Sequence, residues 1–513
     1  MKMSDRSILT LDIGSSSCKA VVIDGSGREM ASGSGEYPVY FAEGQTFAEQ
    51  EPDEIWQGVC EAVGRALARY SGKGRIAAIS LSSQISSHFL VGTDNRPLTR
   101  IITWMDSRAN DQAERMKQSF TPEQLFFHLG AELPPGSSWP IPKLSWLSRY
   151  RPAEVELARY MVQPKEWVLW KMTGEWMTDL SSARGAVHQQ TGEPADVLLA
   201  WAGVSRELIP PVGEPHQTAG TLTVEASELL GLARGLPVML GWNDLNAAIL
   251  GTVDWTRKGF GFDITGTSEH IGLLTRDSSG VLSPHHGINK IPFLQGYQTV
   301  YGVTSSGGHA FKWYAEQIAC RGGKPGVAID FGQIAEQAAA IEAGADGLIF
   351  LPYLNGERAP WWNPHARGVF FGLHFSHRRP HLARAVLEGV GFALRSILER
   401  LPYVPSVLVT AGGASKLGLW NQIKADILGV PVSRTQTTEA GCLGAAVLAA
   451  YGLGWYGSLE EAGTRMVRTG EEYTPRPQFK ALYDESYGLF TELYLSLVEL
   501  YQKSANRRDE GVS

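Results

Sequence analysis

The sequence predicts two α/β domains of one kind. Its 513 residues exceed what one core normally organises, and two domains of roughly 250 residues each follow from that. Strand-like and helix-like periodicities alternate along the whole chain. A hairpin of the same design opens each half.

The first hairpin runs from an apolar strand, Ile8–Leu11, through a turn of small residues, Gly14–Ser17, into a second strand, Ala20–Ile23. Helical periodicity follows over Ile55–Tyr70 and Arg108–Phe120, with strands at Ile76–Leu81 and Pro237–Leu240. The second hairpin is Gly259–Ile264, the turn Thr265-Gly266-Thr267-Ser268, and Ile271–Leu274. Beyond it come a strand at Ser406–Thr410 and a helix over Leu417–Leu428, whose Leu419, Trp420, Ile423 and Ile427 form one apolar face. A helix of small residues runs from Glu439 to about Tyr451. A boundary near Gly251–Lys258 gives domains 1–253 and 254–504 and a polar tail, 505–513, expected to fray.

Composition narrows the partners. Hydrophobic residues make up 43% and charged residues 19%, the balance of a folded globular protein. A net charge of -7 with interspersed signs offers no footprint for nucleic acid, and no apolar run approaches a membrane span, so a cytoplasmic location is expected. Four widely spaced cysteines, Cys18, Cys60, Cys320 and Cys442, fit neither a disulfide framework nor a zinc site and read as packing thiols.

Four segments can carry chemistry. Asp12-Ile13-Gly14-Ser15-Ser16-Ser17 places an acid at a strand end before a turn rich in N–H and O–H donors, which suits a terminal phosphate and its Mg²⁺; an ordinary hairpin turn has the same appearance. Asp263 to Ser268 repeats the design. Thr410-Ala411-Gly412-Gly413-Ala414-Ser415 is a strand-to-helix turn stripped of side chains, open to a nucleotide or simply tight, and Gly441 and Gly444 permit a helix to pack closely against that turn or its ligand. Asp244, after the strand Pro237–Leu240, is placed either to accept a proton from an attacking hydroxyl or to cap the helix that follows.

In this order the segments resemble the FGGY family of carbohydrate kinases over nearly the whole chain. Gly368-Val369-Phe370-Phe371-Gly372-Leu373 followed by His381 to Glu388 matches a family signature, with Tyr353 to Pro360 and Ala411 to Ser415 as further hallmarks. The resemblance implies a duplicated ribonuclease-H-like (actin-like ATPase) fold with two domains and a central cleft, binding ATP between the domains and a sugar in the first. By position it implies Asp244 as general base, Asp12 and Asp244 as holders of Mg²⁺, and Gly14, Ser15 and Ser16 as the first phosphate loop. Gly266 and Thr267 match the second loop, and Gly412, Gly413 and Ala414, with Gly308 and Lys312, match the adenosine side.

For the sugar, the resemblance draws on Gln84, Ser86, Trp104 and Asp244. Local wording is nearest to gluconokinases and xylulokinases; Thr103-Trp104 with Asp106 and Arg108, Ala48-Glu49-Gln50 with Pro52-Asp53-Glu54, and Ser376-His377 resemble the gluconokinase form. Ile85-Ser86 stands where both subfamilies usually place Met-His, and Leu245 where a pentulose kinase carries an amide. His88 can supply an imidazole, or serve as a strand residue with no ligand role. The expected partners are ATP and a small carbohydrate such as a gluconate-like acid or xylulose-like ketose, with no nucleic acid and no membrane; a homodimer is left open. An actin-fold ATPase or a sugar-sensing pseudokinase is the alternative.

Overall fold

The computed structural model describes residues 6–42, 46–72, 75–131, 135–257, 259–266, 268–276, 287–319, 329–437 and 439–510, with side chains through 505. Thr267, Cys320 and the last three residues of the expected tail lie outside the described residues. The backbone of the final helix, Lys480–Glu510, covers the start of that tail. Two compact units emerge: Met1–Gly251 with Ile291–Phe293 and Glu439–Arg468, and Thr252–Lys290 with Leu294–Thr438 and Thr469–Ser513. Among the described residues no helix is long and apolar enough to cross a membrane.

The first unit is built on a sheet ordered Thr218–Thr221, Pro237–Met239, Arg75–Ser83, Arg6–Ile13, Ser17–Asp24, Glu29–Glu36. Arg6–Ile13 pairs antiparallel with Ser17–Asp24 and parallel with Arg75–Ser83, so the opening hairpin lies beside a crossover strand. Trp242–Asn243 adds to the same strand, Trp242 opposite Ser82 and Asn243 opposite Ser83. Parallel strands buried on both faces explain the continuous apolar runs: Leu9, Leu11, Ile79, Leu81 and Val238 are all fully buried. Proline at the first turn starts the helices Pro52–Arg69, Pro122–Leu129, Pro140–Tyr150 and Pro164–Thr173, where its missing N–H costs nothing.

The second unit repeats the local pattern. Phe260–Thr265 pairs antiparallel with Glu269–Thr275 and parallel with Val407–Gly412; Gln298–Thr304 extends one side, Val432–Thr435 and Thr469–Tyr473 the other. Its core joins Ile271, Phe350, Val386, Phe392, Trp420, Ile423 and Tyr483. The family signature has a packing role here: Glu388 accepts from Arg384 Nε at 2.6 Å, Tyr483 Oη at 2.9 Å and the Gly344 N–H at 3.0 Å, so a buried charge is fully partnered.

One helix changes sides relative to its place in the chain. Ala440–Gly452 packs in the first unit, against Asp244–Leu250 and the strand Arg75–Ser83. Small residues explain the approach: a Cβ on Gly444 would lie 1.7 Å from the Ala247 carbonyl oxygen, and one on Gly251 2.1 Å from that of Ala440. Ser80 Oγ fastens the helix to the sheet through the Ala445 carbonyl at 2.8 Å.

Gly444→Ala should therefore overpack this crossing and destabilise the protein by about 1–3 kcal/mol, read as a lowered urea midpoint. Gly488→Ala, in the open face of Lys480–Glu510 where a Cβ meets nothing within 4 Å, should be neutral or stabilising. Equal midpoints for the two variants would remove the close crossing as a constraint.

Candidate active site

Two acids of the first unit sit at one edge of its sheet. Asp12 ends Arg6–Ile13 beside Ser82 of the parallel neighbour, whose hydroxyl donates to Asp12 Oδ1 at 2.8 Å. Trp242, opposite Ser82 on the next strand, leads within two residues to Asp244. Carboxyl ends of parallel strands converge here, where α/β proteins bind ligands.

The capping role considered for Asp244 belongs to Asn243. Its side chain accepts the Asn246 N–H at 2.9 Å, which leaves Asp244 as the first helical residue with its carboxylate accepting only the Leu245 N–H at 2.7 Å among the described hydrogen bonds. Asn243 is itself fixed from a distant segment: its Nδ2 donates to Ser181 Oγ at 2.7 Å, and Ser181 donates to Asp179 Oδ1 at 2.7 Å. Lys165 closes the relay on Asp179 Oδ2 at 2.6 Å. Burial alone would raise the Asp179 carboxyl; Lys165 and the two serine hydroxyls, Ser182 and Ser181, outweigh it and hold it low.

Burial first, then the charge of Asp12, pushes the Asp244 carboxyl up to about 7, with the Leu245 N–H and Arg184 working the other way. Asp12 is also raised, chiefly by burial, against the pull of Ser82 and Lys19. Two half-buried acids in one electrostatic neighbourhood are costly alone and suit a hard dication with oxygen ligands, so this pair fits Mg²⁺. Gly441 keeps the Asp12 side open, since a Cβ there would stand 3.2 Å from Oδ2. Cys18 and Cys442, both buried, have thiols held well above their ordinary range by burial, in keeping with a packing role.

The first loop is held by its carbonyls. Tyr37 Oη donates to Gly14 O at 2.7 Å, Gln50 Nε2 to Ser15 O at 2.8 Å, and the Tyr37 N–H to Ser16 O at 3.0 Å. Among the described residues, no protein acceptor takes the Ser15 or Ser16 amide, which leaves both as donors for a ligand anion.

Trp104 joins this loop to the expected sugar residues: its indole N–H donates to Ser15 Oγ at 2.8 Å, its main-chain N–H to Ser87 Oγ at 3.2 Å, and its ring is 41% exposed. Ser87 donates to Gln84 Oε1 and Gln84 Nε2 to Gln50 Oε1, so Gln84 is bound into the wall. Ser86 has φ 65°, in the left-handed region, with its N–H on Gln163 Oε1 at 2.8 Å. Asp106, Arg108 and Glu49, which carried the local likeness to gluconokinases, bind one another: Arg108 reaches Asp106 and Glu49 at 2.7 Å each. Their contact is a clamp between loops.

Lys143 escaped the sequence reading. It is fully buried and spends its three N–H bonds on the carbonyls of Ser86 (2.6 Å), Ile102 (2.9 Å) and Thr103 (2.9 Å), tying the Gln84–Ser87 segment to the Trp104 segment. Burial pulls its ammonium down to about 7. The sequence did carry a signal, because Lys143 falls within the apolar stripe of Ile141, Leu144 and Leu147. His88 is buried beside it and kept neutral by burial and by Lys143, with Nδ1 unpartnered; it lines a small cavity with Gln163, Glu166, Thr178 and Ser182.

In the second unit the expected nucleotide residues fall into one cluster and one outlier. Gly308 donates its N–H to Gly266 O at 3.0 Å, and Gly412, at φ 99°, passes so close to Thr265 that a Cβ would lie 2.1 Å from its carbonyl oxygen. Gly413 is exposed with nothing near its Cβ position, and Ala414 follows it in the same turn. Lys312 lies a turn along the helix from Gly308, exposed and 3.7 Å from Glu316. Elsewhere, Asp346, His374 and His377 gather within 4.8 Å. His377 Nδ1 accepts the His374 N–H at 3.1 Å, which leaves its proton on Nε2 facing the Asp346 carbonyl, so this trio closes a turn.

Comparison with known proteins places the chain in a family. The N-terminal domain of the FGGY family of carbohydrate kinases matches residues 7–251, and its C-terminal domain residues 263–453. Xylulose kinase of Bacillus subtilis (strain 168) is 28% identical over 503 residues, covering 96% of this chain and 97% of that one. Gluconokinase of Bacillus licheniformis is 28% identical over 516 residues, covering 97% and 98%. The crystal structure of gluconate kinase from Lactobacillus acidophilus superposes with a TM-score of 0.86 at 28% identity, over 97% of this chain and 99% of that one. The chain belongs to the FGGY family of carbohydrate kinases and is an ATP-dependent kinase of a small carbohydrate.

Proposed function

We propose that the protein transfers the terminal phosphoryl group of ATP to a hydroxyl of an open-chain polyhydroxylated substrate, a gluconate-like sugar acid or a xylulose-like ketose, with Asp244 as general base. The observation that carries this is the release of Asp244 from capping by Asn243, at the sheet edge that also holds Asp12. The likeness to a xylulose kinase and a gluconokinase at equal identity supports both substrate classes.

The chemistry follows from the surroundings. A carboxyl raised to about 7 accepts a proton near neutral pH more readily than an ordinary aspartate, because its conjugate acid is not too strong. Asp244 orients and deprotonates the attacking hydroxyl, while the Ser15 and Ser16 amides bind phosphate oxygens. Gly266 and Thr267 would form the second phosphate loop, and Gly412, Gly413 and Ala414, with Gly308, would take the adenosine. Asp12 and Asp244 would hold Mg²⁺, which when bound neutralises charge on the transferring group. Trp104 presents an exposed ring face to the sugar, and Lys143 fixes the two loops that frame it.

Sugar-dependent ADP release across a panel of aldonates, ketoses and polyols tests the reading as a whole. ADP release independent of any sugar would instead indicate an actin-fold ATPase, and sugar binding without ADP a sensor. Asp244→Asn should keep both ligands within a few-fold of wild-type affinity and lose about 10²- to 10⁴-fold in kcat; near wild-type turnover removes Asp244 from the mechanism. Lys143→Met should raise the KM for the sugar about tenfold or more and leave the KM for ATP unchanged, since it cuts three charge-assisted bonds between the sugar loops only. Parallel losses in both KM values would show that Lys143 supports the fold at large.

A further inference from the structure

Three charged side chains lie under the second phosphate loop, all but sealed from water. Asp263 stands in the strand that enters the loop, Glu269 opens the strand that leaves it, and Lys424 reaches in from the helix Gly418–Leu428; their exposures are 2%, 0% and 1%. Lys424 Nζ donates to Asp263 Oδ2 at 2.7 Å, to Thr265 Oγ1 at 3.1 Å and to Glu269 Oε1. Thr265 Oγ1 also donates to Glu269 Oε1, at 2.9 Å. All three ammonium hydrogens are thus spent on residues that bracket Gly266 to Ser268.

Two oxygens are left over. Asp263 Oδ1 and Glu269 Oε2 are buried and meet no donor. One ammonium facing two ionised carboxylates would leave a buried net negative charge, which is costly, and a single bound proton removes it. A proton on Glu269 also lets its carboxyl donate to the Asp263 carboxylate beside it.

The neighbours agree. Burial, then the Asp263 carboxylate, pushes the Glu269 carboxyl up to about 8. Burial opposes the charge of Lys424, but Asp263 and Glu269 hold it above its ordinary value. On the adjoining strand Thr304 stands opposite Glu269 and donates to Glu357, a buried acid raised to about 8 chiefly by burial, with Arg358 beside it. The helix Gly307–Tyr314 brings only Gly307 against Glu269, where a Cβ would lie 2.9 Å from Oε2. Its cation, Lys312, is exposed on Glu316.

We propose that Asp263, Glu269 and Lys424 form a proton-sharing clamp that positions the second phosphate loop for the nucleotide, with Glu269 as the carboxylic acid that donates to Asp263. The clamp rests on the kinase reading only for the identity of its ligand. While Glu269 keeps its proton, the cluster is neutral and sets no charge against a polyphosphate. Loss of the proton leaves two like-charged acids flanking Thr265 and Gly266, which both repels the ligand and spreads the loop. Glu269 and Lys424 act through the loop and are positioning residues.

Calorimetric titration of the full chain with MgADP at pH 7 and pH 9.5, beside steady-state kinetics, tests this. Wild-type affinity for MgADP should fall about tenfold over that range, with the KM for ATP rising in parallel and kcat at saturating ATP changing less. Glu269→Gln, which carries a permanent donor toward Asp263, should bind equally at both values. Lys424→Met should lose about tenfold at pH 7.

Thermal unfolding reports the proton without nucleotide. A carboxyl raised in the folded state contributes stability that is present below its unfolded value of about 4.3 and is lost as pH rises through about 8. Glu269→Gln should therefore flatten that part of the pH dependence of Tm. A pH-dependent loss of MgADP affinity in Glu269→Gln equal to that of wild type, or an unchanged Tm profile, overturns the clamp. A wild type that binds no MgADP at any pH while Glu269→Gln still flattens the Tm profile overturns the kinase reading and leaves the proton-sharing pair standing.

Discussion

Like charge partly withdrawn from water is the condition the first unit is built to sustain. Asp12 and Asp244 are both half-buried, and the charge of Asp12 raises Asp244. Each feature around them reduces the freedom of these acids to escape: Ser82 holds Asp12 from the neighbouring strand, and Asn243 takes the capping bond that would otherwise claim Asp244. Behind Asn243 the relay through Ser181 and Asp179 to Lys165 fixes the cap itself. Removal of one outer member therefore reaches the acid through a change of geometry, although no bond to the carboxylate is cut.

The second unit meets the same electrostatic difficulty with an internal answer. Its buried acids, Asp263 and Glu269, are paired with Lys424, whereas the acids of the first unit are the ones we propose for Mg²⁺. The difference matches what each loop would handle. A site that must release charge to a reacting group keeps unpaired carboxylates, and a loop that only has to keep its shape neutralises its own. Glu388 with Arg384 and Tyr483 is a third buried acid solved by packing, farther from either loop in sequence.

Much of this was legible in the sequence because it is local. Both hairpins follow from strand periodicity interrupted by hydroxyl and glycine turns, and the helices from apolar spacing and proline starts. Ser15 and Gly266 stand in those turns, and Asp12 in the strand that enters the first. What sequence could not supply is partnership across distance. Nothing near Asp244 in the chain says that Asn243 beside it, and not Asp244, caps the helix, nor that Ser181 braces Asn243. Lys143 is hidden because a cation in an apolar stripe resembles an ordinary surface residue at the edge of an amphipathic helix. Gly441 and Gly444 were recognised as close-packing residues, and within the first unit they meet Asp12 and Ala247.

The helix Ala440–Gly452 carries one more implication. It covers the sheet that carries Asp12, yet the ribosome makes it only after most of the second unit has been synthesised. The first unit thus emerges early with an open flank: Ser80 lacks its carbonyl partner and the apolar strands around it lack a cover until the chain's closing stretch arrives. Assembly of such long-range contacts is slow and exposes surface while it waits. A nascent chain halted near residue 253 would hold every residue of the Asp244 helix and still be unable to finish the site.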